Sequence, residues 1–151
     1  MFKEKLIEII SDYFNEQIPF NKIVGIVVTE VSAETVVLKA KMRPELIGNA
    51  LHGILHGGVT STLLDVSGGL VAVINEMERL VQNNPLSIQE KLMNIATIDM
   101  RVDFLLPGRG EEFIATAKVI RHGKKVAVTR MELRNELNEK IALGTATYLV
   151  G

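Results

Sequence analysis

Residues 1–42 show two hydrophobic patterns, one with the period of a helix and one with the period of a β-strand. Over residues 1–16, apolar side chains recur at helical spacing among charges of both signs, which predicts an amphipathic helix rather than a signal peptide. Over residues 23–31 and 35–42, apolar and polar side chains alternate about a short polar turn. That period of two predicts a β-hairpin with one face in solvent.

A nearly continuous apolar stretch occupies the middle of the chain. Residues 43–55 are predicted to be a loop because proline and glycine interrupt them. A helix follows from about residue 57 to 75, and it is hydrophobic on almost every face, so it belongs inside a core. Residues 76–94 are more polar and predict an excursion, with a short surface helix opened by a capping box of Ser87 and Glu90.

Turn signals at residues 107–110, 122–125 and 135–139 divide the remainder into four alternating segments. They predict a four-stranded antiparallel meander. Wrapping an antiparallel sheet around the central helix is the economical packing, so we expect one α+β domain over residues 1–151 with the hotdog architecture. In the first segment, Ile98, Met100, Val102 and Phe104 share the predicted core face, and Thr97, Asp99, Arg101 and Asp103 share the other.

Composition and charge exclude several classes of function. The chain has 17 Lys and Arg against 18 Asp and Glu, a formal net charge of -1, so nothing favours a nucleic acid or an anionic membrane as partner. The absence of cysteine rules out disulfides, thiolate metal sites and cysteine nucleophiles. No unbroken apolar run approaches the roughly 20 residues of a membrane-spanning helix. We therefore expect a cytoplasmic protein that does not insert into a membrane.

One carboxylate, that of Asp65, interrupts the apolar helix. A charge in that setting costs several kcal/mol unless it is paired, hydrogen-bonded or neutralised, and such carboxylates are often catalytic. A purely structural role stays open, because hydroxyls of Ser61, Thr62 or Ser67 could bond to it.

The same helix opens on two glycines. Gly57 and Gly58 let another molecule approach the helix N-terminus, whose free N–H groups suit a developing oxyanion. A carboxylate acting as base or nucleophile would complete the machinery for acyl transfer. Asp65 lies roughly 12 Å further along the axis, so one carbonyl cannot contact both groups. The spacing predicts a homodimer whose antiparallel helices share two sites, and Gly68 and Gly69 fit either such close approach or tight helix–sheet packing.

Several motifs resemble a known family. The pair Gly48-Asn49, the run Ile54-Leu55-His56-Gly57-Gly58 and the pair Leu64-Asp65 resemble the PaaI-like hotdog acyl-CoA thioesterases. Residues 97–111 and 146–151 look most like the YigI-type bacterial medium- and long-chain branch. The resemblance runs from about residue 18 to the C-terminus. It implies a homodimer or dimer of dimers that hydrolyses fatty acyl-CoA to free acid and CoA, with no metal or organic cofactor.

The resemblance also implies roles for individual residues. Asp65 would be the general base or the nucleophile, and the Gly57 N–H would polarise the thioester carbonyl. His56 would shape the entrance to the oxyanion hole, Asn49 would hold water or the carbonyl, and Gly58 would lie against the substrate.

CoA carries phosphates, so cationic turns are candidate sites for it. The turn containing Arg121, Gly123, Lys124 and Lys125 is one such candidate, and Arg109 is another. A Gly-Lys-Lys hairpin tip is also typical of a solvated turn, and that interpretation stays open.

Two rival functions and one rival site remain. A hotdog hydratase or dehydratase would use a histidine with a carboxylate, and an acyl-CoA binding module would bind without turnover. His52 and His56 have the helical spacing of metal ligands, but Gly53 between them disfavours a regular helix, so we predict no metal site.

Overall fold

The computed structural model describes residues 1–83, 86 and 88–151, so the predicted capping residue Ser87 lies outside the described residues. The helices are α1 (Phe2–Asp12), which continues into a π-helical turn (Tyr13–Gln17), α2 (Pro19–Val24), α3 (Gly57–Asn83) and α4 (Ile88–Met93). The strands are β1 (Val27–Val31), β2 (Thr35–Lys41), β3 (Ile47–Asn49), β4 (Ile54–Leu55), β5 (Ala96–Phe104), β6 (Glu112–His122), β7 (Val126–Asn135) and β8 (Lys140–Leu149).

Six strands form one antiparallel sheet in the order β1-β2-β6-β7-β8-β5, and α3 packs across its inner face. The strands alternate as the sequence predicted, so that β2 buries Val36, Leu38 and Ala40 against the helix. This is the hotdog architecture expected from the sequence. By length and composition alone α3 could cross a membrane, but half of its apolar window is buried inside the protein, as in a core helix.

The predicted meander is wrong for its first strand. Strands β6, β7 and β8 are consecutive neighbours, whereas β5 pairs with β8 at the edge of the sheet. The chain passes through α3 and α4 after β4, and β5 then joins the far edge of the sheet beside the last strand, β8. Among the described residues, strand β5 therefore pairs with β8 alone and has one open edge.

The predicted faces of β5 are also wrong at its start. A bulge separates Thr97 from Asp99, so Thr97 lies opposite Tyr148 while Ile98 is 55% exposed. Residues opposite each other in an antiparallel pair point to the same face, and Tyr148 is buried. Thr97 consequently faces α3, because the extra residue reverses the alternation at that point.

Three element boundaries differ from the predictions. Helix α3 continues to Asn83 rather than ending near residue 75, because Glu76, Met77 and Leu80 extend its buried face. The predicted strand over residues 23–31 begins only at Val27, after α2 ends at a glycine with a φ of 81°. The predicted loop over residues 43–55 contains the short β3–β4 hairpin.

Candidate active site

Asp65 is half-buried on α3 and lines a cleft of about 230 Å³. Its carboxylate oxygen Oδ1 accepts hydrogen bonds from the hydroxyls of Thr97 at 2.9 Å and Tyr148 at 3.0 Å. The Tyr148 hydroxyl also lies 2.9 Å from the Asp65 carbonyl oxygen. Within the described part of the chain Oδ2 accepts no hydrogen bond. The carboxylate is therefore held by one oxygen and free at the other.

The three helix hydroxyls expected near Asp65 do not bond to it. A hydroxyl inside a helix readily bonds to a carbonyl of the preceding turn, whereas Asp65 points away from its own helix toward β5 and β8. Each of the three donates to a backbone oxygen of α3: Ser61 to Gly57 at 3.1 Å, Thr62 to Gly58 at 2.8 Å and Ser67 to Leu64 at 2.9 Å.

Two glycines in α3 let Tyr148 reach Asp65. A Cβ atom at Gly68 would lie 2.6 Å from the Tyr148 hydroxyl, and one at Gly69 would lie 3.4 Å from its ring. Of the two interpretations of this glycine pair, the single chain therefore displays tight helix–sheet packing. Burial, followed by the charge of Asp65, raises the pKa of Tyr148 far above its usual range. Its hydroxyl is consequently a proton donor throughout the neutral pH range.

The rest of the Asp65 cleft is largely apolar. The N-terminal helical segment, which comprises residues 2–24, contributes Phe14, Ile18 and Asn21 to the lining. The side-chain amide of Asn21 donates to the Phe14 backbone carbonyl. None of the described residues in 86–93 lines this cleft, and Leu86 and Met93 are strongly exposed. No described lining residue is a histidine. The other members of the lining are Val66, Gly69, Val73, Ile95 and Ala96.

A second cleft, of about 420 Å³, lies at the N-terminus of α3 beside Gly57. Among the described residues the Gly57 N–H has no hydrogen-bond partner. A Cβ atom at Gly57 would lie 3.4 Å from the Phe104 ring, which is 58% exposed at the rim rather than in the core as predicted. Most of the remaining lining is apolar and includes Ile54, Leu55, Leu105, Leu106 and Pro107.

His56 caps α3 and selects which N–H group is free. Its Nδ1 accepts the N–H of Gly58 at 2.8 Å, so Gly58 has no free donor while Gly57 does. Because Nδ1 accepts, the neutral ring carries its proton on Nε2. The backbone N–H of His56 donates to Leu46 at 2.8 Å, and a Cβ at Gly48 would lie 2.5 Å from the His56 Cα. The β3–β4 hairpin thus fixes His56 closely.

Asn49 and Arg109 organise the loop beside this second cleft. The side-chain oxygen Oδ1 of Asn49 accepts the N–H groups of Leu51 and His52 at 3.1 and 3.3 Å, which leaves the side-chain NH2 as the free group. Arg109 donates to the His52 carbonyl at 3.2 Å. Arg109 therefore lies at the Gly57 end of the molecule.

The other cationic candidates lie at the opposite end of α3. Arg121, Gly123, Lys124 and Lys125 surround the β6–β7 turn, where the Gly123 carbonyl accepts a hydrogen bond from Arg79 at 3.0 Å. Along the helix axis Arg79 is about 33 Å from Gly57 and about 21 Å from Asp65. One chain therefore does not bring this turn to the Gly57 cleft.

A second buried carboxylate supports that turn. Glu76 is 6% exposed, and one of its oxygens lies 2.7 Å from Nε2 of His122 and 3.7 Å from Arg79. Burial, followed by the positive charge of Arg79, lowers the pKa of His122. The sequence interpretation placed Glu76 in a polar excursion, but Glu76 lies within the continuation of the core helix.

Sequence reasoning missed the two hydroxyl donors to Asp65. The inward positions of β8 are Ala142, Gly144, Ala146 and Tyr148. The first three are small residues, so a tyrosine at the fourth is unusual and could have been recognised in the sequence as a candidate site residue. Thr97 had no such signal, because the bulge that turns it inward breaks the alternation.

The chain is similar to proteins of the thioesterase superfamily in both sequence and structure. The family model of the thioesterase superfamily matches residues 52–142. The medium/long-chain acyl-CoA thioesterase YigI of Escherichia coli K12 is 41% identical over 148 residues, covering 98% of this chain and 96% of that protein. A crystal structure of a Shewanella oneidensis protein related to the thioesterase superfamily has a TM-score of 0.94 at 42% identity, covering 99% and 98% of the two chains. The E. coli PaaI protein, 19% identical with a TM-score of 0.78 over 96% and 93% of the two chains, shares the fold.

Proposed function

The chain belongs to the thioesterase superfamily and is a thioester hydrolase, and we propose that its substrate is a medium- to long-chain fatty acyl-CoA, cleaved to the free fatty acid and CoA. The observation that carries the proposal is the carboxylate of Asp65, open at Oδ2 in a largely apolar cleft. The similarity to YigI supports the acyl-CoA class and the chain length.

Asp65 has two chemical routes to the thioester. As a general base its free oxygen would take a proton from water, which then attacks the carbonyl carbon. As a nucleophile the same oxygen would attack the carbonyl carbon and expel CoA as its thiolate, and water would then cleave the resulting anhydride to release the fatty acid. In both routes the free N–H of Gly57 would stabilise the oxyanion, and His56 would keep that donor free by occupying the N–H of Gly58.

We propose that the complete site joins two chains of a homodimer. Asp65 and Gly57 line separate clefts, and they lie roughly 12 Å apart along one helix. A two-fold axis that sets two α3 helices antiparallel brings each Asp65 beside the partner's N-terminus, which forms two identical sites. The open edge of β5 supports such pairing, because an exposed strand edge with apolar Ile98 and Phe104 is otherwise a liability. A dimer of dimers is compatible with the same contact.

The proposed contacts to CoA follow from the charges around these clefts. Arg109 is the cation beside Gly57, and the Arg121–Lys125 turn lies near the C-terminal end of α3, about 21 Å along the helix axis from Asp65. We propose that phosphate oxygens of CoA bind at one or both. Asn49 would offer its amide to water or the carbonyl. We further propose a cytoplasmic protein that needs no cofactor or metal and binds neither nucleic acid nor the membrane interior.

The test of the proposal is thiol release from acyl-CoA esters of increasing chain length. We expect saturable release that is strongest for medium to long chains and absent in Asp65→Asn, which also controls for contaminating thioesterases. Folded protein that binds acyl-CoA without releasing thiol would favour the binding module. Conversion between enoyl and hydroxyacyl thioesters without thiol release would favour the hydratase, although no described histidine lines the Asp65 cleft.

A further inference from the structure

The two oxygens of the Asp65 carboxylate have different surroundings. Oδ1 accepts hydroxyl donors from two separate strands, Thr97 on β5 and Tyr148 on β8. Oδ2 has no hydrogen-bond partner among the described residues. Because Tyr148 also lies 2.9 Å from the Asp65 carbonyl oxygen, its hydroxyl contacts the residue at both its backbone and its side chain.

The Tyr148 hydroxyl is itself held in place. Its ring is 2% exposed under α3, and Gly68 leaves room for its oxygen. The Thr129 hydroxyl on β7 borders the same space beside Gly68 and donates to the sulfur of Met131 at 3.2 Å. Loss of the Tyr148 hydroxyl would therefore leave the packing of the ring intact and remove one donor from Asp65.

Few other groups that line the cleft can influence the charge of the Asp65 carboxylate. The lining residues come from the N-terminal helical segment, α3, β5, β8 and the residue before β5, and the titratable groups among them are Asp65 and Tyr148 alone. None of the described lining residues is a lysine, arginine or histidine. Hydroxyl donors, rather than a cation, are left to stabilise the ionised carboxylate.

We propose that Tyr148 is a positioning residue of the hydrolytic site: its hydroxyl fixes Oδ1 of Asp65, stabilises the ionised form, and directs Oδ2 into the cleft. This inference rests on the proposed role of Asp65 in thioester hydrolysis. Hydrogen bonds to a charged group are the stronger kind, so the loss of one donor is large enough to measure.

The first test compares the pH dependence of kcat/KM in the wild type, Tyr148→Phe and Tyr13→Phe. Without its donor the carboxylate protonates more easily, so in Tyr148→Phe the acid limb moves to higher pH by about one unit and kcat falls about tenfold, with KM nearly unchanged. Tyr13 is half-exposed on the π-helical turn, so Tyr13→Phe keeps the wild-type profile. An acid limb and kcat that stay at wild-type values in Tyr148→Phe would overturn the proposal.

The second test needs no substrate. The carboxyl carbon of Asp65, assigned with Asp65→Asn, is titrated by NMR in the wild type, Tyr148→Phe and Gly68→Ala. The added methyl of Gly68→Ala would displace the Tyr148 oxygen without removing it. A midpoint that moves upward in both variants supports the proposal, and a midpoint that moves in neither overturns it. If the wild type hydrolyses no ester, the proposed function fails, while this titration still decides whether Tyr148 stabilises the Asp65 charge.

Discussion

Two carboxylates of helix α3, Asp65 and Glu76, contact side chains of the sheet, and their surroundings differ in ways that matter for chemistry. Asp65 is half-buried, bonds to two neutral hydroxyls through one oxygen, and faces a cleft. Glu76 is 6% exposed and contacts a histidine and an arginine. The more deeply buried carboxylate is thus the one with a cationic neighbour, Arg79.

The depth at which a carboxylate is buried therefore does not by itself show that it is reactive. A buried carboxylate in an apolar helix is costly, and that argument alone would select Glu76 more strongly than Asp65. What distinguishes Asp65 is a free oxygen, an adjacent cavity and partners that leave it able to accept a proton or attack. Glu76 instead joins α3 to the β6–β7 turn through His122 and Arg79.

The largest expected effect is on turnover at Asp65. Asp65→Asn keeps an oxygen that can accept the Thr97 and Tyr148 hydroxyls but removes the base, so kcat should fall about 10²–10⁴-fold. The free energy of unfolding should change by less than about 1 kcal/mol. Steady-state kinetics and denaturant unfolding measure the two quantities.

The control is Asp12→Asn, which removes an exposed carboxylate from α1 and should leave both quantities unchanged. Wild-type turnover in Asp65→Asn would show that Asp65 takes no part in the reaction and does not differ from Glu76 in this respect.

A smaller effect, on stability rather than turnover, is expected at Glu76. Glu76→Gln removes the negative partner of His122 and Arg79 in a buried setting, so the free energy of unfolding should fall by about 1–3 kcal/mol. The value of kcat should stay within about threefold of the wild type, since Glu76 lines neither cleft.

Glu78→Gln is the matched control on the same helix, because Glu78 pairs with Lys3, whose side chain is half-exposed, and an ion pair open to solvent contributes at most about 1 kcal/mol. A Glu76→Gln variant of full stability that has lost turnover would reverse the roles assigned to the two carboxylates.

The fold was predictable because hydrophobic periodicity is a local signal. The alternating strands and the apolar helix were enough to indicate a sheet around α3. The position of β5 at the sheet edge was not, because pairing order depends on contacts between strands that are far apart in sequence. The end of α3 was missed since Glu76, Glu78 and Arg79 make its last turns polar in sequence, although Glu76 is buried.

The candidate site was predictable only in part. Asp65 and Gly57 stand out in sequence because each is unusual for an apolar helix. Tyr148 and Thr97 are distant in sequence from Asp65, and their approach depends on strand pairing and on the bulge at Ile98. Likewise the use of the Gly58 N–H by His56 is a matter of side-chain rotamer that no spacing rule gives.

Asp65 of one chain and Gly57 of another are proposed to make one site. Mixing two inactive variants tests this sharing. Asp65→Asn removes the carboxylate. Gly57→Pro removes the backbone donor at the first helical position, where proline is tolerated, and Gly57→Ala is its control because alanine keeps the N–H.

The measurement is thiol release after equal amounts of Asp65→Asn and Gly57→Pro chains have exchanged subunits, with exchange verified by mass spectrometry. In each mixed dimer one site combines an intact Asp65 with an intact Gly57. Half of the dimers are mixed, so about one quarter of wild-type activity should be recovered. No recovery above the two parent variants after complete exchange would contradict a shared site.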